Sequence, residues 1–409
     1  MTNESKHPWI VHILILTIII DIMGVGLVFP IMPALFFGDT TVFVLGSTHM
    51  QNWGYAIGLA AWPLGLILGG PILGELSDKF GRKKILLIAL FLTAGAYAIS
   101  GLSIYVGSYV IFVLSRLMSG IVGGAFEIAQ ATVIDASTKQ NKARNLGVIA
   151  MAASLGFMIG PIITSITTNA YFGWSITTPF WFAMAISFIN ALCILFLMKW
   201  DRAKHPELAI KLSSLLKTVT FLLTDKRVVF IGIIYLFMQC GWGFFGQGIA
   251  LFLDQMYGYS TSTIGVFYAM TGLSVALCSI FIQPKIFKRF SVESAYIVFA
   301  FICGGGLILI SLLENSIYQW IIGSVASAAQ LICYTALLTI ISSSVSEKEQ
   351  GKAMGGAGAG FGLAWFINDM MMGGLTSISV KLPIAVGGVF LFVSLLLVTL
   401  YLLRRQSRI

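Results

Sequence analysis

Gly74-Glu75-Leu76-Ser77-Asp78-Lys79-Phe80-Gly81-Arg82-Lys83-Lys84 puts six charged residues into eleven positions, between two runs, 51–73 and 85–104, that carry no charge at all. Each run is about 20 residues long, the length an α-helix needs to cross a hydrocarbon layer of about 30 Å. A short charged turn between two such runs is a membrane hairpin, because lipid leaves the backbone no partner except its own helix. The same alternation continues along the chain and predicts helices over 10–33, 51–73, 85–104, 107–131, 145–168, 178–198, 228–253, 263–283, 293–313, 318–341, 353–376 and 383–403.

Composition agrees with that pattern. Of 409 residues, 58% are hydrophobic and 10% charged, against roughly 25% charged in soluble domains. Twelve spans and short loops consume nearly the whole chain, which excludes an additional soluble domain. The net charge of +9 is dispersed in short clusters rather than along one basic face, so nucleic acid is not the expected partner; the lipid bilayer is. Cys193, Cys240, Cys278, Cys303 and Cys333 all fall inside apolar runs without Cys-x-x-Cys spacing, which indicates neither disulfides nor a metal. The first apolar run has Asp21 at its centre and no small-residue cleavage site, and so reads as a span rather than a signal peptide.

An even number of spans returns both ends to one side. With that side cytoplasmic, 23 of the 25 Lys and Arg lie in inner segments; Arg116, inside a span, and Lys381, in an outer loop, are the exceptions. The positive-inside bias therefore predicts cytoplasmic termini. The longest connection, 199–227, divides the chain into an N-terminal bundle over 1–198 and a C-terminal bundle over 228–409. Within it Leu208, Leu212, Leu215, Val219 and Leu222 recur at helical spacing, which predicts an amphipathic helix on the inner membrane surface. Lys288-Arg289-Phe290-Ser291 repeats the 74–84 turn faintly about 210 residues later. The expected fold is thus all-α, with twelve transmembrane helices in two pseudo-symmetric six-helix bundles.

Gly74, Leu76, Asp78, Gly81, Arg82 and Lys83 resemble the loop signature of the major facilitator superfamily, with Ser77 in place of the usual Ala. Gly74 permits close helix approach, and Asp78 suits the positive N-terminal end of another helix. The resemblance implies that this helix is span eleven, and that Arg82 reaches Asp135 at the end of span four to form a conformational latch. Asp21-Ile22-Met23-Gly24 through Pro33 is similar to the first span of drug:proton antiporters, tetracycline exporters in particular. Arg116-Leu117-Met118-Ser119-Gly120 is similar to that family's Arg-x-x-Gln-Gly element with Ser119 for Gln, and Gly156, Gly160 and Pro161 to its Gly-x-x-x-Gly-Pro element. The glycines usual after Pro161 are Thr164 and Ser165 here. Small residues at 156 and 160 allow close packing, and Pro161 loosens the helix so that it can bend.

An ionisable residue within a span is costly and belongs in a wet passage. Asp21 is a candidate proton carrier, and Arg116 the basic group that couples its charge to conformation. Glu127 lies eleven residues beyond Arg116 on the same helical face, with Gln130 one turn further. Asp369 is either a second protonation site or the partner of a cationic substrate group. Gln239, Trp242, Phe245 and Gln247 in span seven, Tyr268 in span eight, Gln330 and Tyr334 in span ten, and Trp365 and Asn368 in span eleven suit a bulky amphipathic solute. Hydrolase, metalloprotease, phosphate-loop and dinucleotide motifs are absent from the sequence, so neither an enzyme nor a cofactor is expected. The resemblance implies a monomeric, proton-coupled transporter of the bacterial inner membrane, most simply an exporter of a drug, siderophore or metabolite; a nutrient symporter is the alternative reading, and a channel or sensor a remoter one. His7, His12, His49 and His205 all lie near span ends or in loops, which departs from tetracycline exporters.

Overall fold

The structure, a computed structural model, describes residues 8–38, 41–135, 137, 141–198, 220–346 and 349–406. Among these the chain forms twelve long helical rods: α1 Pro8–Val28, α2 Thr48–Phe80, α3 Arg82–Tyr105, α4 Tyr109–Asp135, α5 Lys142–Thr167, α6 Thr178–Leu197, α7 Val229–Tyr257, α8 Thr261–Arg289, α9 Val292–Leu312, α10 Ser316–Ser343, α11 Gln350–Ile378 and α12 Leu382–Gln406. The side from which α1 starts and at which α12 ends is called here the terminal side, and the opposite one the far side. The amphipathic helix expected within 199–227 falls mainly outside the described residues; the part within them begins with a short helix, Phe221–Thr224.

Three helices depart from simple rods for identifiable reasons. α1 stops before Pro30, and a short helix, Met32–Phe36, restarts with Pro33 in its first turn. α4, expected as one helix, is interrupted at Gly123–Gly124, two adjacent residues without a Cβ to hold the helix, and resumes at Ala125–Asp135. α8 contains a π turn, Cys278–Ile282, before Pro284, whose missing N–H cannot continue the ordinary ladder. The charged 74–84 turn is also shorter than expected. α2 runs through Phe80, and Gly81, at φ 98°, alone makes the corner. That left-handed φ favours glycine.

Close approach of backbones sets the packing inside the N-terminal bundle. A Cβ at Gly69 would stand 1.8 Å from the Ile121 carbonyl oxygen, and one at Gly65 2.3 Å from that of Leu117, so α2 rests directly on α4. Gly156 and Gly160 do the same for α5 against α1, with Ile19 O and Met23 O at 2.7 and 2.3 Å from a hypothetical Cβ. α5 continues as helix through Pro161. These two glycines therefore bring the backbones of α5 and α1 close together.

The bundles α1–α6 and α7–α12 meet where α2 lies on α11 and α5 lies on α8. Far-side contacts dominate this seam. Asn52 Nδ2 donates to Ser377 Oγ at 3.3 Å, Ser262 Oγ donates to the Ser165 carbonyl at 2.8 Å, and Tyr55 OH donates to that of Gln247 at 3.2 Å. One apolar cluster joins both bundles and contains Phe29, Tyr55 and Trp62 with Phe244, Leu251 and Trp365. A second, around Leu14, Ile18, Leu86 and Ile128 nearer the terminal side, belongs to the N-terminal bundle alone. A Cβ at Gly70, Gly74 or Gly358 would meet nothing within 4 Å. Among the described residues these hydrogen bonds between the bundles lie on the far side, and Gly70 and Gly74 of α2 and Gly358 of α11 are uncovered on the terminal side. Around the perimeter Ile88, Phe91, Phe188, Phe281, Phe301 and Leu396 are exposed, as a lipid-facing belt requires.

Candidate functional site

The break in α4 builds the centre of the site. The first turn of Ala125–Asp135 has backbone N–H groups without helical partners, and the Phe126 N–H is directed at the Asp21 carboxylate. Glu127, in the same turn, is hydrogen-bonded by its own N–H and lies within electrostatic reach of Asp21. Two carboxyl groups from different helices thus share one half-helix N-terminus, an arrangement familiar from discontinuous helices at transport sites. Asp21, Glu127 and Gln130 are all partly exposed, on the terminal side of the seam.

Arg116 lies deeper, 2% exposed, with its Nε lacking a hydrogen-bond partner. Ser119, at the position where the family pattern has Gln, donates back to the Arg116 carbonyl at 2.8 Å and is thus engaged by its own helix rather than by the guanidinium. The groups around Arg116 are Tyr97 from α3 and Asp369 from α11. Tyr97 is a member that sequence reasoning missed. Its hydroxyl occupies the space over Gly24, 1.7 Å from where a Cβ would be, within electrostatic reach of both Asp21 and Arg116. A phenol inside an otherwise apolar span was the available signal.

The C-terminal bundle supplies the opposite wall. Tyr334 on α10, 37% exposed, faces Glu127 across the gap. Gln239 donates to Tyr235 OH at 3.3 Å, and Trp242 leans on Phe245 with ring centroids 5.0 Å apart. Toward the far side Phe29 meets Tyr268 and Trp365, each at 6.0 Å between centroids, while Tyr268 OH donates to the Gly246 carbonyl at 2.7 Å. These three rings plug the seam beyond the charged residues. Asn368, Asp369 and Gln247 are buried beside the plug. Gln330 is placed differently from the expected cavity wall: its amide donates to Met238 Sδ at 2.8 Å within the C-terminal core. Two open grooves, of about 500 Å³ along Trp53, Ile367 and Met371 and about 580 Å³ along Ile166, Trp174 and Phe182, lie on the perimeter and touch no charged residue.

At the terminal end Arg82 Nη2 pairs with Asp78 at 2.6 Å, its Nε approaches Asp135 Oδ2 at 3.5 Å, and its Nη1 donates to Ser77 Oγ at 2.6 Å. Ser77, the departure from the family pattern, is thereby a third anchor. In this conformation Gly74 stands away from α11 and Asp78 is engaged by Arg82 rather than by a helix terminus. Lys83 is 2% exposed and donates to the carbonyls of Leu195, at 2.8 Å, and Met198, which ties the end of α6 to the start of α3.

The family model described as Major Facilitator Superfamily matches residues 14–367. Multidrug resistance protein 2 of Bacillus subtilis (strain 168) is 29% identical over 316 residues, 76% of this chain and 74% of its own length. The class E tetracycline resistance protein of Escherichia coli is 28% identical over 349 residues, covering 83% and 80%. The quinolone resistance protein NorA of Staphylococcus aureus (strain MRSA252) is 26% identical over 408 residues, 97% of each. Among solved structures, the POT family transporter PepTSo superposes with TM-score 0.77 at 10% identity over 99% of both chains, and the human organic anion transporter MFSD10 with 0.72 at 16% over 97% and 100%. At those identities the structural likeness speaks for the fold alone.

Proposed function

Since the chain belongs to the Major Facilitator Superfamily and is a multi-pass membrane transporter rather than an enzyme, we propose that it is a proton-coupled antiporter. It exports a small amphipathic molecule by alternating access, as a monomer in a bacterial inner membrane with both termini cytoplasmic. The observation that carries this reading is Asp21: a carboxyl group in mid-span, partly exposed on the terminal side and held at a half-helix N-terminus beside Glu127, with Arg116 deeper in the same bundle. Three relatives named for resistance to drugs support the export direction.

The coupling follows from charge. When the far seam is open, Asp21 takes a proton from outside, and the neutral group crosses the closed state without the cost of a buried charge. When the terminal side opens, as here, water reaches Asp21 and Glu127, the proton leaves, and the anion draws in the substrate. The Phe126 N–H donates to that anion, and the set of the bundles decides whether water reaches it, so proton loss depends on conformation. Arg82, Asp78 and Asp135 close the terminal side when α11 docks against Gly74.

Purified protein in liposomes tests this with tetracycline and a fluorescent quinolone as probes. An imposed pH gradient drives saturable uptake that Asp21→Asn abolishes while leaving the protein's yield and elution unchanged. Normal proton-driven uptake by Asp21→Asn, or pH-independent flux that does not saturate, overturns the reading.

A further inference from the structure

Six polar atoms lie together beside the aromatic plug without a hydrogen-bond partner: both carboxylate oxygens of Asp369, Oδ1 and Nδ2 of Asn368, Nε1 of Trp365 and Oε1 of Gln247. Their residues are 0%, 0%, 3% and 1% exposed. Native interiors satisfy nearly all such groups, and a buried carboxylate without a hydrogen-bond donor is strongly disfavoured. The titratable groups facing Asp369 are Arg116 from α4, Tyr55 from α2 and Cys240 from α7, none of them hydrogen-bonded to it.

No donor around the Asp369 carboxylate is bonded to it. Its two oxygens are unpaired although N–H groups of Trp365, Asn368 and Arg116 are unpaired in the same neighbourhood. A proton on Asp369 removes the charge and gives the carboxyl a donor of its own for a neighbouring amide oxygen. It is also a ligand that needs no room, and room is scarce: a Cβ at Gly243 would be only 2.6 Å from Asn368 Nδ2. Access is one-sided. The contact of Tyr55 with Gln247 covers the cluster toward the far side, Phe29 packs against Tyr268 and Trp365 beside it, and all of these contacts cross between the bundles. Opening the far seam therefore uncovers Asp369, whereas Asp21 and Glu127 are partly exposed already.

We propose that Asp369 is a second proton site, loaded from the far side and carried sealed in the conformation seen here, so that a cycle moves one proton on Asp21 and another on Asp369. The proton passes from external water to a carboxylate oxygen of Asp369 and returns to water on the other side. This rests on the reading of the chain as a proton-coupled transporter.

Infrared difference spectroscopy of the purified full-length protein, without substrate, tests it directly. The expected result is a carboxylic-acid C=O band at neutral pH that is lost in Asp369→Asn, retained in Asp21→Asn, and shifted in frequency in Asp369→Glu. In liposomes with tetracycline as probe, the proton-to-substrate ratio of Asp369→Asn falls twofold. An unchanged band in a helical, monodisperse Asp369→Asn, or in Asp369→Glu should the former not fold, overturns the second site. So does an unchanged ratio. If Asp21→Asn still loses its pH-driven flux in that case, the antiporter reading stands without the second site. If pH gradients drive no flux through the wild type, the antiporter reading falls, and the infrared band still decides whether Asp369 holds a proton.

Discussion

Replacing Gly265 should tip the protein toward the arrangement opposite to the one described. Gly265 lies on α8 in the far seam, where a Cβ would stand 2.7 Å from the Pro161 carbonyl oxygen and 2.9 Å from Ser165 Cβ, against 3.4 Å or more for ordinary contact. The obstacles are the backbone and a Cβ of α5, which have no rotamer to escape into, so α8 must retreat by about 0.7 Å, the difference between 3.4 and 2.7. Overpacking of this kind costs about 1–3 kcal/mol. The cost falls on the far-closed state alone, because parting the seam relieves it, so Gly265→Ala shifts the equilibrium by about 5- to 150-fold. Asn52→Cys reports the shift: position 52 is 5% exposed and faces Ser377 across the seam. A membrane-impermeant maleimide applied from the far side should label that cysteine faster, in the same proportion, in Gly265→Ala than in Gly265. The chain without Asn52→Cys corrects for the five native thiols. Equal labelling rates in a well-folded Gly265→Ala refute the premise that the far seam opens as a unit.

Two further outcomes follow from the terminal side. Lys83→Met leaves the carbonyls of Leu195 and Met198 without the ammonium that binds them, and should lower stability by about 1–3 kcal/mol, read from thermal unfolding in detergent. Arg227 bridges Asp225 and Glu349, and its hydrogen bonds hold the Asp225 carboxyl down to about 2 and that of Glu349 down to about 2. Acids depressed in this way contribute stability above their unfolded values, about 4, and lose it as pH falls through about 2, so the bridge stays charged throughout the neutral range. Arg227→Gln should accordingly leave the shape of the pH–flux profile near neutrality unchanged; a displaced midpoint contradicts this.

The helical plan was legible because lipid permits so few backbone solutions: runs of about 20 apolar residues separated by charge have essentially one reading. The inventory of ionisable residues within spans was legible for the same reason, since each is conspicuous in an apolar background. What the sequence did not disclose is which of them meet. Tyr97 was overlooked because a phenol is unremarkable in a span until Gly24 leaves it a space. Gln330 was assigned to the cavity because helical periodicity does not say which face of α10 is turned toward α9. The interruption of α4 was written in Gly123–Gly124, but a pair of glycines also suits mere close packing, and only the direction of the Phe126 N–H distinguishes the two.

The threefold fixing of Arg82, by Asp78, Asp135 and Ser77, all within one bundle, bears on how quickly the molecule can change sides. A corner already rigid while its counterpart is distant has no ordering left to undergo when the two meet, so closure there is a collision of finished surfaces rather than a mutual folding. The slow step of that movement is then set by what must be pulled apart elsewhere.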